Sequence, residues 1–422
     1  MKKSIIILAC GILAARTAFA QESQPTQLES LEQRTAALEA SVQKTNRLTI
    51  SGYVQTQYQW GQEAASLKVG SGGNENPEKS FDRIGVRRGR LKFTYDDGIA
   101  SIVVQPDFTD AGLKLKDTYL SIKDPWFNSM ALKAGLFDRP FGFEVAYSSS
   151  RLESPERSTI VQTLFPDEID LGAMLLLQAP KTSPWSILKL EGGLFGGNGV
   201  KPDTDNKHDF IGHLSASKAI DNTMSLSGGV SLYEGFIFQG NENVYKVVDG
   251  AFECNSDAAN KGKYAKRDYL GFDAQFAIST AMGMTQLRGE YISGQQPGTV
   301  NSTKSPNADL RPTGDTYIRK INGGYAILVQ DLGPVPVSLV AKYDWYNPNT
   351  QVSGNSVDSN KGFSGVDLKM STIGLGAFWR VSNAVRLTAY YEINKNETSD
   401  NISGWEKDRK DNVFTLRAQV KF

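Results

Sequence analysis

Three cations stand two residues apart in one short stretch of the chain: Arg88, Arg90 and Lys92. In a β-strand the positions i, i+2 and i+4 share one face, so the three side chains form a column about 13–14 Å long. A guanidinium presents a planar fork of donors that grips two oxygens of a carboxylate or phosphate, and an ammonium adds a compact point charge. The chemistry open to such a column is electrostatic, the attraction and passage of anions. Lys133, Arg151 and Arg157 carry the same charge further along the chain and extend the candidate anion-binding set.

Bond-making chemistry has far less to work with. The histidines are His208, in a loop, and His213, on a strand, which is a poor start for a metal pair. Asp203, Asp205 and Asp209 fall at positions 1, 3 and 7 of a calcium loop, but position 6 is His208 instead of glycine and position 12 is Leu214 instead of glutamate. Walker and zinc-ligand spacings are missing. A Ser/His/Asp lipase built on a barrel would need an outward-facing histidine, and His213 has only Ser215 and Ser217 nearby to suggest it. No cofactor, metal or catalytic cycle is expected.

The elements that position the cations follow from apolar periodicity. Residues 413–422 read Val-Phe-Thr-Leu-Arg-Ala-Gln-Val-Lys-Phe. Phe414, Leu416, Ala418, Val420 and Phe422 share one phase, while Thr415, Arg417, Gln419 and Lys421 share the other. One greasy face and one wet face suit a barrel with lipid outside and water inside, or a half-buried edge strand of a soluble sheet. The final aromatic, Phe422, resembles those through which outer-membrane insertion machinery recognises a terminal strand.

The rest of the chain decides between the two. Alternation recurs in sixteen segments, at 48–60, 83–95, 99–107, 114–123, 129–138, 171–179, 185–196, 210–218, 223–233, 268–278, 284–294, 317–329, 335–346, 368–380, 385–395 and 413–422. Each connection from an even segment to the next is short, and each connection from an odd segment is longer. Outer-membrane barrels have this asymmetry, whereas a sandwich or propeller has no reason for it. The expected fold is all-β: a 16-stranded antiparallel transmembrane β-barrel over 48–422. Trp60, Tyr95, Tyr119, Tyr233, Tyr291, Tyr346, Trp379 and Tyr390 are read as interface belts. A lysine or arginine turned to lipid near the midplane costs about 2–4 kcal/mol, so Arg88, Arg90, Lys92 and Thr94 are assigned inward and Leu91, Phe93 and Tyr95 outward.

Upstream of the barrel, Lys2 and Lys3 precede an apolar run at 5–15, and Ala18-Phe19-Ala20 offers a cleavage point, so 1–20 is expected to be a secretory signal peptide. Its removal leaves 43 basic against 46 acidic residues, and no global basicity points to nucleic acid. It also leaves Cys254 as the one cysteine, which excludes a disulfide framework. No later run of about 18 apolar residues predicts a spanning helix. The mean hydropathy of −0.35 does not discriminate, since half of every barrel strand faces water. Leu28, Leu31, Thr35, Leu38, Val42 and Thr45 keep a 3-4-3-4-3 spacing. That predicts a short periplasmic coiled-coil helix within 21–47 and fits a homotrimer, although a lone amphipathic helix has the same pattern.

One region adds a family resemblance. Residues 133–144, Lys-Ala-Gly-Leu-Phe-Asp-Arg-Pro-Phe-Gly-Phe-Glu, end the fifth strand and open the third long connection, and 148–158 follow as Ser-Ser-Ser-Arg-Leu-Glu-Ser-Pro-Glu-Arg-Ser. With Gly135, Phe137, Pro140, Phe141, Gly142, Glu144, Glu156, Arg157 and Ser158 at the matching positions, the stretch resembles the phosphate-selective porin O and P family. Ser51-Gly52-Tyr53 and the arginine-rich second strand are similar to that family too. The resemblance implies a trimeric outer-membrane porin whose third loop folds inward, placing Pro140, Phe141, Gly142, Glu144 and Glu156 at a constriction. The residues support an inward fold separately. The 32-residue connection 139–170 is long and carries Phe141, Phe143, Val145, Leu152, Ile160, Leu164 and Phe165, too apolar a set for a solvated loop.

The expected function is passive diffusion of small hydrophilic solutes, anions such as phosphate among them, across a lipid outer membrane. The loop holds three basic and six acidic residues, so a specific phosphate site, a mild anion preference and little selectivity all stay open. The alternative is a non-conducting structural or adhesive barrel acting through its extracellular loops, 234–267 above all.

Overall fold

The computed structural model describes residues 47–70 and 80–422. The chain divides into two units, Met1–Leu48 and Thr49–Phe422. The signal peptide expected at 1–20 and, but for Arg47, the coiled coil expected at 21–47 lie outside the described residues.

From Leu48 onward the chain builds one antiparallel sheet that closes on itself. Its first nine strands are β1 (Leu48–Gln62), β2 (Ser80–Asp96), β3 (Ala100–Thr109), β4 (Gly112–Lys123), β5 (Met130–Asp138), β6 (Ile169–Gln178), β7 (Leu188–Phe195), β8 (Asp209–Ala219) and β9 (Met224–Phe238). After a hairpin of β10 (Asn243–Val248) and β11 (Ala251–Ser256) come β12 (Tyr264–Thr280), β13 (Gly283–Gly298), β14 (Thr316–Asp331), β15 (Val337–Asn347), β16 (Met370–Arg380), β17 (Val385–Asn396) and β18 (Val413–Lys421). β9 pairs directly with β12, Tyr233 opposite Tyr269, so the hairpin stands outside the wall and the wall has sixteen strands. β1 pairs with both β18 and β2, which closes the ring and leaves the barrel no free edge.

The wall is inverted relative to a water-soluble protein. On β18, Leu416, Val420 and the following Phe422 are 44%, 51% and 64% exposed on the outside, while Thr415 and Arg417 on the inside are 0% and 3% exposed. β1 behaves alike, with Gln55, Gln57 and Gln59 buried inside and Val54 exposed. Large apolar side chains outside and polar ones inside are reconciled by lipid around the barrel and water within it. The closed wall meets the lipid's demand that every backbone N–H and C=O find a partner.

Three details depart from the sequence expectation. First, β3 and β4 join through only Asp110 and Ala111, so one odd-to-even connection is short. Gly112 takes φ +114, which a side chain would resist, and the Thr109 hydroxyl accepts from the Ala111 N–H. Second, Tyr233, Tyr346 and Tyr390 are buried in the interior and do not belong to an outer belt. Tyr119 also packs against the interior cluster, whereas Tyr95, Tyr291 and Trp379 are exposed on the outside. Alternation fixes which residues share a face, but one slip of phase turns an aromatic inward. Third, 234–267 is not an unstructured loop. Asp249 and Gly250, both at positive φ, form the tight turn of the β10–β11 hairpin. β10 runs parallel to the start of β14, Val244 opposite Thr316, and Tyr245 stacks on Tyr317 with ring centroids 4.3 Å apart. Phe252, Val357, Phe363, Leu368 and Ile402 complete an apolar cluster that ties the loops together.

Candidate pore and constriction loop

Between β5 and β6 the chain enters the barrel. Gly142, at φ +59, makes the turn, and its N–H donates to Ser231 Oγ at 2.8 Å. The next two N–H groups, of Phe143 and Glu144, donate to Glu290 Oε2 at 3.2 and 3.1 Å, so one wall carboxylate holds the loop's first bend. Helix α1 (Thr159–Leu164) follows. Glu144 Oε2 accepts from the Ser158 N–H at 2.8 Å, and Asp344 Oδ1 accepts from the Thr159 N–H at 3.2 Å and the Thr159 hydroxyl at 2.9 Å. These carboxylates answer the helix's otherwise orphaned amides and suit its positive end.

Beneath the loop, Phe141, Val145, Ile160, Val161, Leu164 and Phe165 are fully or almost fully buried against Tyr233, Tyr269, Ile292, Ile321 and Tyr346 of the wall. Burying each large side chain stabilises the docked loop by about 1.5–3 kcal/mol. That burial accounts for the apolar content of a connection which, as a solvated lid, would have had to expose it.

The loop's acidic excess has a partner for almost every charge. Glu156 receives Arg87 through two bonds of 2.8 Å, Arg88 at 3.0 Å and Arg417 at 3.0 Å. Glu144 pairs with Lys342 at 2.9 Å, Glu153 with Arg288, and Glu168 with both Arg157, at 2.8 Å, and Lys116. Asp170 pairs with Arg139 at 3.2 Å, and the Asp167 carboxylate accepts from Asn307. Burial alone would raise the Glu156 carboxyl, but Arg87, Arg88 and Arg417 outweigh it and hold the group well below the usual carboxylate range. Arg157 and Lys116 likewise overcome burial at Glu168 and depress it.

The sequence-selected cations therefore separate into two sets. Arg88 and Arg157 are buried in ion pairs, Arg157 also donating to the backbone carbonyls of Glu144, Val145 and Tyr147. Arg90 lies on Asp107 at 2.9 Å. Lys92, Lys133 and Arg151 make no ion pair among the described residues, and the Lys133 ammonium sits over the rings of Tyr119, at 3.9 Å, and Phe137, at 4.4 Å. Pro140, Phe141 and Gly142 form the loop's entry, while Glu144 and Glu156 anchor it. Sequence reasoning did not select Arg87, Lys116, Arg288 or Lys342. Inward phase marks the last two as lumenal, but their acidic partners lie 135 and 198 residues away. Arg87 lies in the phase opposite to Arg88, which would assign it outward, yet both arginines reach one carboxylate. His213 faces inward and contacts Asp273 at 3.1 Å, and Asp209 of the apparent calcium spacing is buried against Arg267.

An open interior cavity of 380 Å³ remains between Phe143, Ala146 and Tyr147 on the loop and the wall strands β5, β7, β8, β9 and β12. Its wall carries Lys133, Lys189, Glu191, His213, Asp273 and Gln275.

No family model matches this chain, and no curated protein matches it. Solved structures do. OprB of Pseudomonas putida aligns with a TM-score of 0.56 at 10% identity, covering 91% of this chain and 96% of its own. OmpF of Salmonella typhi, in complex with daunomycin, gives 0.53 at 11%, and the outer membrane channel DcaP of Acinetobacter baumannii gives 0.51 at 12%, each covering 89% of this chain and 97% of its own. At these identities the likeness is one of fold. With the apolar exterior and polar interior, it marks the chain as a sixteen-stranded transmembrane β-barrel of the fold that these outer-membrane proteins have.

Proposed function

We propose that the protein is a porin, a water-filled channel through which small hydrophilic solutes diffuse passively across the outer membrane. What carries the proposal is the combination of a polar, charged barrel interior with a loop that fills part of it and leaves an open cavity beside Phe143 and Tyr147. A barrel meant only as a scaffold for surface loops has no need to keep such a polar passage open. A mild preference for anions, phosphate among them, belongs to this reading and rests on Lys92, Lys133 and Arg151, the selected cations that make no ion pair among the described residues. The resemblance to the phosphate-selective porin O and P family and the heptad spacing at 28–45 favour a homotrimer in which each protomer forms its own pore.

Planar-bilayer recording tests the proposal directly. Stepwise, ohmic conductance in potassium chloride is expected. A detergent-purified, heat-modifiable barrel that inserts but never conducts would favour the adhesive alternative. The reversal potential in a salt gradient then reports ion preference, and cation preference without block by phosphate removes the anion component alone.

A further inference from the structure

The open cavity has two unlike sides. On the loop side, the rings of Phe143 and Tyr147 lie with centroids 4.8 Å apart and planes inclined by 31°, a tilted stack that gives the cavity one apolar side. Arg288 backs both rings, its Cζ 5.5 Å and 4.9 Å from their centroids, and is itself paired with Glu153. The Tyr147 hydroxyl donates to Glu153 at 3.1 Å, which fixes the ring's orientation. The stack is thus built: both rings are half-buried, held from behind, and face the cavity.

The opposite wall is dense in hydrogen-bonding groups but nearly neutral. Ser215, Ser217, Ser227 and Gln275 line it. Lys189 pairs with Glu191 at 2.8 Å, Lys133 and Asp138 stand on the same wall, and the His213 ring contacts Asp273 at 3.1 Å. Cations and carboxylates in nearly equal number offer donors and acceptors without a strong field that would concentrate one sign of ion. An aromatic stack facing such a wall complements a solute with an apolar face and a hydroxylated rim. At 380 Å³ the cavity is at the small end of ligand-sized sites.

We propose that this cavity is a subsite for neutral polyhydroxylated rings of monosaccharide size, whose C–H face packs on the free side of the Phe143–Tyr147 stack while the hydroxyls bond to the β7–β9 and β12 wall. The inference rests on the channel reading and adds a solute class to it. Weak attraction in the narrow part of a passage speeds flux at low concentration, provided the solute can also leave. A ring that packs on the stack should outpace an open chain of the same size by about two- to tenfold.

Liposome swelling with glucose, with the open-chain polyol mannitol and with glycine tests this, in the unmodified protein and in Phe143→Leu and Tyr147→Leu. The expected result is a glucose-to-mannitol rate ratio above one that falls toward one in both variants, together with glucose-dependent current noise in bilayers for the unmodified protein. Equal rates for glucose and mannitol in the unmodified protein, or a ratio that survives both substitutions, overturn the subsite and leave the channel standing. Failure to pass even glycine overturns the channel and the subsite together.

Discussion

Arg417 of β18 donates from Nη2 to Glu156 Oε1 at 3.0 Å, joining a wall strand to a loop residue 261 positions earlier in the chain. Arg87 and Arg88 reach the same carboxylate from β2, so Glu156 gathers three guanidiniums from the two strands that flank β1. The inward-folded loop is thereby fastened across the closure of the barrel.

Replacing Glu156 with glutamine keeps the side chain's shape and removes the charge those guanidiniums share. Breaking a buried pair from one side costs about 3–5 kcal/mol. The barrel wall should survive while the loop loosens, read as faster amide exchange across 139–168 and noisier single-channel current. Exchange as slow as in the unmodified protein would show that apolar packing alone holds the loop.

The pH dependence follows from depressed carboxyls. Glu156 and Glu168 sit below their ordinary values, held there by Arg87, Arg88 and Arg417 and by Arg157 and Lys116. A group with a lowered folded pKa contributes stability above its unfolded value, about 4.3, and loses it as pH falls through the folded value. The contribution of these two carboxylates to loop docking should therefore be constant from neutral pH to about 5 and weaken only below about 4. The difference in loop exchange between the unmodified protein and Glu156→Gln, followed from pH 7 to pH 3, checks this, and a difference that already shrinks at pH 6 would contradict it.

Gly142→Ala should be disruptive although it adds one methyl group. The residue is at φ +59, and a Cβ there would fall 1.8 Å from Glu290 Oε1. The left-handed backbone alone costs a residue with a side chain about 1–2 kcal/mol, and Glu290 must also shift and release the Phe143 and Glu144 amides. A changed mean conductance with an unchanged folded fraction on semi-native electrophoresis is the expected signature.

Charge substitutions should rank by whether the native cation is already paired. Lys133→Gln removes a charge that makes no ion pair among the described residues and should move the reversal potential toward cations. Arg88→Gln removes a charge that Glu156 already balances and should move it less. Reversal potentials in a tenfold salt gradient compare the two, and a larger shift for Arg88→Gln would place the conducting path along β2 instead of past Lys133.

Much of this architecture can be read from local pattern. Period-2 alternation marks all sixteen wall strands, because lipid and water impose opposite demands on successive side chains. Asp249-Gly250, between Val247-Val248 and Ala251-Phe252, is a hairpin signal in the sequence itself. The apolar side chains of 139–170 imply burial of that loop before any coordinate is known.

What the sequence by itself determined was which residues turn to water and which to lipid, since that depends on neighbours one and two positions away. Only the tertiary structure decided which lumenal cation meets which loop carboxylate, because strand closure and loop docking bring together groups separated by 69 residues, as in Arg87 and Glu156, or by 261, as in Glu156 and Arg417. For that reason a column of free cations was legible in Arg88, Arg90 and Lys92, while the neutralisation of Arg88 by Glu156 and of Arg90 by Asp107 was not.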